Sequence, residues 1–317
     1  MKNLLVVGPK STKQFQLLSE LSDSYQIQIE EDCPAKTDAE TMLAWENVKK
    51  NQLDDLVKNS PSLKWIHTKN AGVEGILGEV LKTSSVTLTN AQGVFAESLA
   101  EFALMGMLYF AKDVNRMNEN KAKKNWSTFE VECLKGAKLG ILGFGGIGQQ
   151  VASRALPFGM EVVAFRTKVK PDGEKQNGVM VYPISRFDEM ISSFDYLSLS
   201  MPAVPETINF LNSDRLSKLK PTAVIINIGR GSSIDELAMT AVLEKNKIRG
   251  AVLDVFVSEP LSEASKLWEL PNVFISPHTA DRTATWLDET MEKFVENARL
   301  YASDKPLTNI VDKLRGY

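Results

Sequence analysis

The sequence is poor in the features that announce a specialised chain. Its 317 residues hold two cysteines and two histidines. Cys33 and Cys133 stand far apart and without metal-ligand spacing, which excludes a disulfide framework, gives no metal site and fits a reducing cytoplasm. No apolar run approaches the roughly 20 residues that a membrane-spanning helix needs. The most apolar stretch, 102–111, follows Glu101 and reads as a buried helix. The N-terminal run Leu4-Leu5-Val6-Val7-Gly8 is too short for a secretory signal core and passes directly into a strand and turn, so the chain is expected to start folded. An excess of one charge is missing too. With a net charge of −3 and acids and bases interspersed, nothing favours nucleic acid or an anionic membrane. Lys121, Lys123 and Lys124, the densest basic cluster, read as a solvated helix end.

What is present is an alternation of short apolar runs with helical periodicity. The length suits two domains rather than one, and the 43% apolar content is enough to give each a core. Strands are expected at 4–7, 26–29, 42–44, 63–68 and 86–89, with helices at 14–21 and 48–58. Residues 94–112 form a long helix with an unusually wide apolar face, a polar segment 115–126 follows, and a second alternation runs from 138 to about 280. A last amphipathic helix, 284–301, is most economically used in returning the chain to the first domain. The expected fold class is α/β: two doubly wound parallel-sheet domains, with a Rossmann nucleotide-binding domain (94–283) inserted in a flavodoxin-like substrate domain (1–93 and 284–317). Two crossings between domains and one cleft would follow.

The second alternation opens on the most informative stretch of the chain. Gly143, Gly145 and Gly148 have the G-x-G-x-x-G spacing, directly after the apolar run 139–142 and at the start of a helix in which Ile147, Val151 and Ala155 recur every fourth residue. The first glycine permits the turn, the second lets a pyrophosphate approach the backbone, and the third lets helix and strand pack closely. The anion would sit near Gly145, Gly146 and Ile147, where the first helical N–H groups point outward.

Groups able to do chemistry fall at later strand ends, where doubly wound sheets bind ligands. His278, in Ser276-Pro277-His278, is the leading acid/base candidate. Arg230, between Gly229 and Gly231, calls for an anionic partner, either a protein carboxylate or that of a substrate. Glu259, before Pro260, is either a loop residue or the carboxylate that fixes the tautomer of His278. Met201 and Pro202 end another strand and are expected to line the cofactor groove. In the first domain Asn70-Ala71-Gly72-Val73 is either an ordinary turn or a carboxylate-sized set of backbone N–H groups, and His67 reads as a strand-end or cleft-wall residue. Trp126 is expected to pack, with a subunit contact as the alternative.

Together these pieces resemble the D-isomer-specific 2-hydroxyacid dehydrogenase family along essentially the whole chain. The matching segments are 70–73, 143–148, 227–231, 253–256 leading to Glu259-Pro260, and 276–278, in the family's order. The resemblance implies that Arg230 binds the 2-oxo-acid carboxylate and polarises its carbonyl, that His278 gives or takes the proton, and that Glu259 supports the basicity of His278. It implies further that Asn70, Ala71, Gly72 and Val73 contribute to the carboxylate site, that Asp254 meets the nicotinamide carboxamide, that Ile228 lies with Pro202 along the cofactor, and that a homodimer forms through 94–126. The implied activity is the reduction of a small 2-oxo acid, glyoxylate or hydroxypyruvate, to the D-2-hydroxy acid in the cytoplasm. The alternatives are a non-enzymatic, nucleotide-sensing corepressor-like protein and a related formate or phosphite dehydrogenase.

Two departures from the pattern matter. Ala280-Asp281-Arg282 follows His278 where many members have a glycine after the alanine. Eighteen residues beyond Gly148, where an acid would hold the ribose hydroxyls of NAD, stands Arg166, followed by Thr167. An arginine there can pair with a 2′-phosphate, so NADP(H) is the expected cofactor and NAD(H) the lesser one.

Overall fold

The computed structural model describes residues 1–46 and 48–317. The chain divides into two compact units, Met1–Phe95 with Thr283–Tyr317, and Ala96–Arg282.

In the first unit, β1 (Lys2–Val7), β2 (Tyr25–Glu30), β3 (Thr41–Ala44), β4 (Trp65–Thr68) and β5 (Thr87–Asn90) form a parallel sheet in the order β2-β1-β3-β4-β5. That is the flavodoxin-like order. Leu4 and Val6 join one buried cluster while Leu5 and Val7 join the other, so β1 is covered on both faces and reads as an unbroken apolar run. α1 (Lys50–Asn59) and α2 (Glu79–Thr83) connect later strands. The segment expected as a helix at 14–21 is a 3-10 stretch, Lys13–Leu21. Its buried residues Phe15, Leu18 and Leu21 fall three apart, the repeat of that tighter turn.

The second unit begins with α3 (Ala96–Ala111), which buries a stripe of small and apolar residues, including Leu99, Ala103, Gly106, Met107 and Phe110. A Cβ on Gly106 would meet Val252 at 2.9 Å, so the helix lies close against its sheet. The polar segment that follows is partly helical. α4 (Val114–Ala122) starts at Asp113, whose φ of +51° breaks the long helix and whose carboxylate accepts from Arg116 N at 3.4 Å.

β6 (Lys138–Leu142), α5 (Gly146–Ala155), β7 (Glu161–Arg166), β8 (Glu174–Gln176), β9 (Val179–Pro183), α6 (Phe187–Met190), β10 (Tyr196–Leu199), α7 (Ser213–Ser217), β11 (Val224–Asn227), α8 (Glu236–Glu244), β12 (Gly250–Leu253) and β13 (Val273–Ile275) complete this unit. The sheet order is β13-β12-β11-β10-β6-β7-β9-β8, parallel except for β8 against β9. Its central six strands have the dinucleotide-binding order, which reverses between β6 and β10 and leaves a crevice at their C-terminal ends. Phe165, Phe187 and Phe194 pack beneath it with centroids 5.3–6.4 Å apart.

The edge hairpin β8–β9 was not anticipated from the sequence. Its turn, Asn177-Gly178, has φ of +49° and +83°, as a two-residue turn of the primed type requires. The chain then returns to the first unit in α9 (Trp286–Ala302), which buries Met291, Phe294, Val295 and Ala298 and stacks Phe294 on Trp65 at 5.6 Å. Past α9, Ile310 bridges Thr89 beside β5. No helix among the described residues is long and apolar enough to cross a membrane.

Candidate active site

At the end of β6 the backbone turns at Gly143, whose φ is +94° and whose added Cβ would lie 2.8 Å from Ser200 O. Gly148 has no room for a side chain either, since its Cβ would overlap Gly143 O. Gly145 and Gly146 differ. A Cβ on either would meet nothing within 4 Å, so the backbone is open where a pyrophosphate must approach. Gly145 caps α5 without a side-chain bond, which leaves the N–H groups of the first turn, Ile147 included, to an incoming anion.

Two further features favour a nucleotide. Arg166, the last residue of β7, has a buried Nε with no hydrogen-bond partner among the described residues, and Asp254 Oδ2, just past β12, is in the same state. Buried polar atoms of this kind carry a desolvation cost that a polar ligand can relieve. The residues present therefore fit a dinucleotide. Thr167 is exposed beyond Arg166. Pro202 follows β10, its carbonyl accepting from Thr207 Oγ1 at 2.6 Å. Ile228 is 3% exposed and bonds through its N–H to Leu199 O at 3.1 Å, so it joins β10 to β11 and its side chain belongs to the interior.

Arg166 is not, however, simply held out for a phosphate. Its Nη2 donates to Glu174 Oε1 at 2.6 Å, across the hairpin that sequence reasoning missed. The signal was available: Asn177-Gly178 between two short runs is a strong local mark of a hairpin.

The groups expected to do acid/base work are assembled by hydrogen bonds. β12 delivers Asp254, whose N–H bonds to Asn227 O at 3.1 Å at the end of β11. Asp254 Oδ1 accepts from Thr279 N at 3.0 Å and Ala280 N at 3.1 Å, and its carbonyl accepts from His278 N at 3.0 Å. His278 has φ of +51°, a conformation that costs a non-glycine residue about 1 kcal/mol or more. Asp254 holds the loop in that conformation with these three bonds. Glu259 is fixed at one oxygen, Oε1, by Phe256 N at 2.9 Å, and its Oε2 lies 2.7 Å from His278 Nδ1. Because a carboxylate only accepts, Nδ1 carries the proton and Nε2 is the nitrogen left for chemistry.

Arg230 is framed by the turn after β11. Asn227 Nδ2 donates to Arg230 O at 3.0 Å, and Arg230 Nη1 donates to Gly229 O at 2.8 Å. Neither neighbouring glycine is replaceable without displacement: a Cβ on Gly229 would meet Met201 O at 3.0 Å, and one on Gly231 would overlap Phe256. Asp281, in the stretch that departs from the family pattern, has its carboxyl held above the usual range by burial, opposed by the charge of His278.

In the first unit, the turn after β4 places Asn70 in solvent and buries the Val73 side chain, so Val73 can meet a ligand only through its backbone. Asn90 Nδ2 donates to Ala71 O at 2.6 Å, and Ala91 N donates to Asn70 O at 3.2 Å. Both bonds use carbonyls of the turn, and Asn70 N donates to Thr68 Oγ1 at 3.4 Å. His67 does not line a cleft. It is fully buried in β4, with Nδ1 2.8 Å from Thr89 Oγ1 and the ring packed by Trp65 and Phe294, and burial pushes its pKa down to about 3. The side chain alternation of β4 put it inside, a consequence of a sheet covered on both faces. Trp126 is likewise displaced from expectation. It is 98% exposed.

A glycine-turned nucleotide unit in a doubly wound sheet, with a carboxylate-held histidine past a strand of the same sheet, fits an oxidoreductase that works with a nicotinamide dinucleotide. Comparison with known proteins gives the family. Residues 104–280 match the family described as "D-isomer specific 2-hydroxyacid dehydrogenase, NAD binding domain". The chain is 31% identical over 268 residues to a glyoxylate reductase of Thermococcus litoralis, covering 82% of this chain and 80% of that one. It is 30% identical over 248 residues to a D-3-phosphoglycerate dehydrogenase of Mycobacterium leprae, covering 78% of this chain but 46% of that longer protein. A D-isomer specific 2-hydroxyacid dehydrogenase from Xanthobacter autotrophicus Py2, solved in complex with NADPH and MES, superposes with a TM-score of 0.84 over 100% of both chains at 25% identity. The chain belongs to the D-isomer specific 2-hydroxyacid dehydrogenase family.

Proposed function

We propose that this protein is a cytoplasmic, NADPH-preferring reductase of a small 2-oxo acid, of glyoxylate or hydroxypyruvate size, forming the D-2-hydroxy acid. The observation that carries the reading is the 2.7 Å contact of Glu259 with His278 Nδ1, which leaves Nε2 as a proton donor at the sheet edge that also bears Arg230. Gly143, Gly145, Gly146, Ile147 and Gly148 take the pyrophosphate, Arg166 and Thr167 the adenosine ribose and its phosphate, and Pro202, Ile228 and Asp254 the nicotinamide half. The bound nicotinamide supplies a hydride to the carbonyl carbon of the substrate.

Arg230 pairs with the substrate carboxylate and stabilises charge developing on the carbonyl oxygen. In the first unit, the turn 70–73 is the proposed source of backbone N–H groups for a carboxylate. His278, as imidazolium, gives its Nε2 proton to the oxygen that becomes the hydroxyl, and Glu259 stabilises the cation before the transfer and orients the ring throughout. Oxidation reverses both transfers. NADPH preference is supported by the missing acid at position 166, by the orphaned Arg166 Nε, and by the NADPH held in the Xanthobacter relative.

A second copy of the chain covers the exposed apolar groups Met105, Met117, Trp126 and Val131, so the working form is a homodimer. A panel of 2-oxo acids assayed with NADPH and NADH tests the activity. Turnover of glyoxylate or hydroxypyruvate with NADPH is expected, and His278→Ala should abolish most of it while nucleotide binding persists. A panel without turnover by either nucleotide would overturn the reading.

A further inference from the structure

We infer that Glu174 is a specificity-determining residue that narrows the protein's discrimination between the 2′-phosphorylated and the unphosphorylated nucleotide. The inference rests on the reading of the end of β7 as the adenosine ribose site. Dinucleotide units that bind NAD place an acid at that strand end, and those that bind NADP place an arginine there. This chain presents both groups, from two strands. Arg166 ends β7, and the carboxylate arrives eight residues later on the antiparallel edge strand β8, 2.6 Å from Arg166 Nη2.

The placement of Glu174 is built into the hairpin. β9 runs parallel to β7 with Arg166 opposite Pro183, and β8 returns antiparallel with Glu174 opposite Val181. Before it, Gly173 bonds through its N–H to Lys170 O at 2.9 Å and has φ of +83°, and its Cβ would meet the Tyr182 ring at 2.7 Å. Behind it, Asn177 Nδ2 donates to Gln149 Oε1 at 3.3 Å in the first turns of α5, tying the hairpin to the glycine helix. Glu174 therefore faces Arg166 because the backbone holds it there.

The chemistry of the pair sets the direction of the effect. A 2′-phosphate that reaches Arg166 must share the guanidinium with Glu174 or displace it, and in both cases a carboxylate stands beside a near-dianionic group. A ribose 2′-hydroxyl meets the opposite situation, since Glu174 can accept a hydrogen bond from it as the strand-end acid of an NAD site does. The two side chains are 33% and 32% exposed, so the pair is solvent-screened and opens at modest cost. Glu174 thus tunes the site and does not close it. With Nη2 engaged by Glu174, the rest of the guanidinium, Nη1 together with the unpartnered Nε, carries the donors left for the phosphate.

The test measures binding, not turnover, on the full chain. Dissociation constants for 2′,5′-ADP and 5′-AMP, and for NADPH and NADH, are taken by calorimetry and by nucleotide fluorescence for the wild type, Glu174→Gln and Arg166→Gln. Glu174→Gln should tighten 2′,5′-ADP and NADPH roughly tenfold, the effect of removing one nearby charge at intermediate dielectric. It should leave 5′-AMP and NADH unchanged or a few-fold weaker. If Glu174→Gln leaves the ratio of the two constants unchanged, or weakens 2′,5′-ADP, the inference fails and Glu174 only positions Arg166. If Arg166→Gln does not weaken 2′,5′-ADP, the assignment of the ribose site fails as well. Thermal unfolding of each variant, matched to the wild type, shows that the hairpin is intact, and Glu174→Asp should return the ratio toward the wild-type value.

Discussion

His67 makes the stability of this protein depend on pH in a way that a single substitution should isolate. The ring is fully buried in β4, its Nδ1 is bonded to Thr89 Oγ1 at 2.8 Å, and its Nε2 has no partner among the described residues. A second proton would place a cation among Trp65, Phe294 and the sheet backbone, and burial lowers the pKa from 6.5 to about 3. The unfolded chain takes up that proton below pH 6.5, whereas the folded chain resists it down to about pH 3. Between those limits the unfolded state binds more protons, so stability falls as pH falls. The loss begins near the unfolded pKa, amounts to roughly 2 kcal/mol by pH 5, and levels off below the folded pKa. Urea unfolding followed by tryptophan fluorescence from pH 8 to pH 4, on the wild type and on His67→Gln, measures it. Carboxylates titrate alike in both proteins, so the difference between their pH slopes belongs to His67. His67→Gln should be less stable at pH 8 and should lose less stability on acidification. Parallel curves for the two proteins would refute the burial argument.

The glycines of the nucleotide turn should separate folding from binding. Gly148→Ala drives a methyl into Gly143 O and should destabilise the second unit by about 2 kcal/mol or more in denaturant melts, whereas Gly145→Ala meets nothing within 4 Å among the described residues and should melt normally while weakening NADPH at least about tenfold. Equal effects of the two on stability would contradict the assignment of Gly145 to the ligand face. Glu259→Gln removes the charge facing the imidazolium, so kcat should drop about 100-fold with little change in KM for the 2-oxo acid; an unaltered kcat would take Glu259 out of the chemistry. Trp126→Asp should weaken a dimer by about 100-fold or more, as loss of a central buried tryptophan does, read by light scattering across a dilution series. A wild-type protein that is monomeric at every concentration would sink the proposed interface.

What could be read from the residues alone, and what could not, follows from the range of the interactions involved. The run from Leu139 through Gly148 was legible because each of its requirements is local: an apolar strand, a turn only glycine can make, a helix with a four-residue repeat. His278, Glu259 and Arg230 were legible as strand-end groups, and the Glu259–His278 contact was one of the two readings of Glu259, but the backbone bonds that fix these groups were not. Asp254 was expected at the nicotinamide, and nothing in its local sequence foretold that one of its oxygens would hold Thr279 and Ala280 N–H groups. Of the two readings of His67, the strand end holds and the cleft wall does not, because a four-residue strand buried on both faces has no polar alternation to reveal which way a side chain points. Glu174 is the most instructive omission. The Asn177-Gly178 turn was visible, but only the pairing of β9 with β7 brings an acid eight residues downstream onto Arg166. Reading a cofactor preference from the residue at the end of β7 assumes that this residue acts alone, and in this fold the neighbouring edge strand supplies the opposite charge. The proposed preference therefore rests on the pair and not on Arg166 alone.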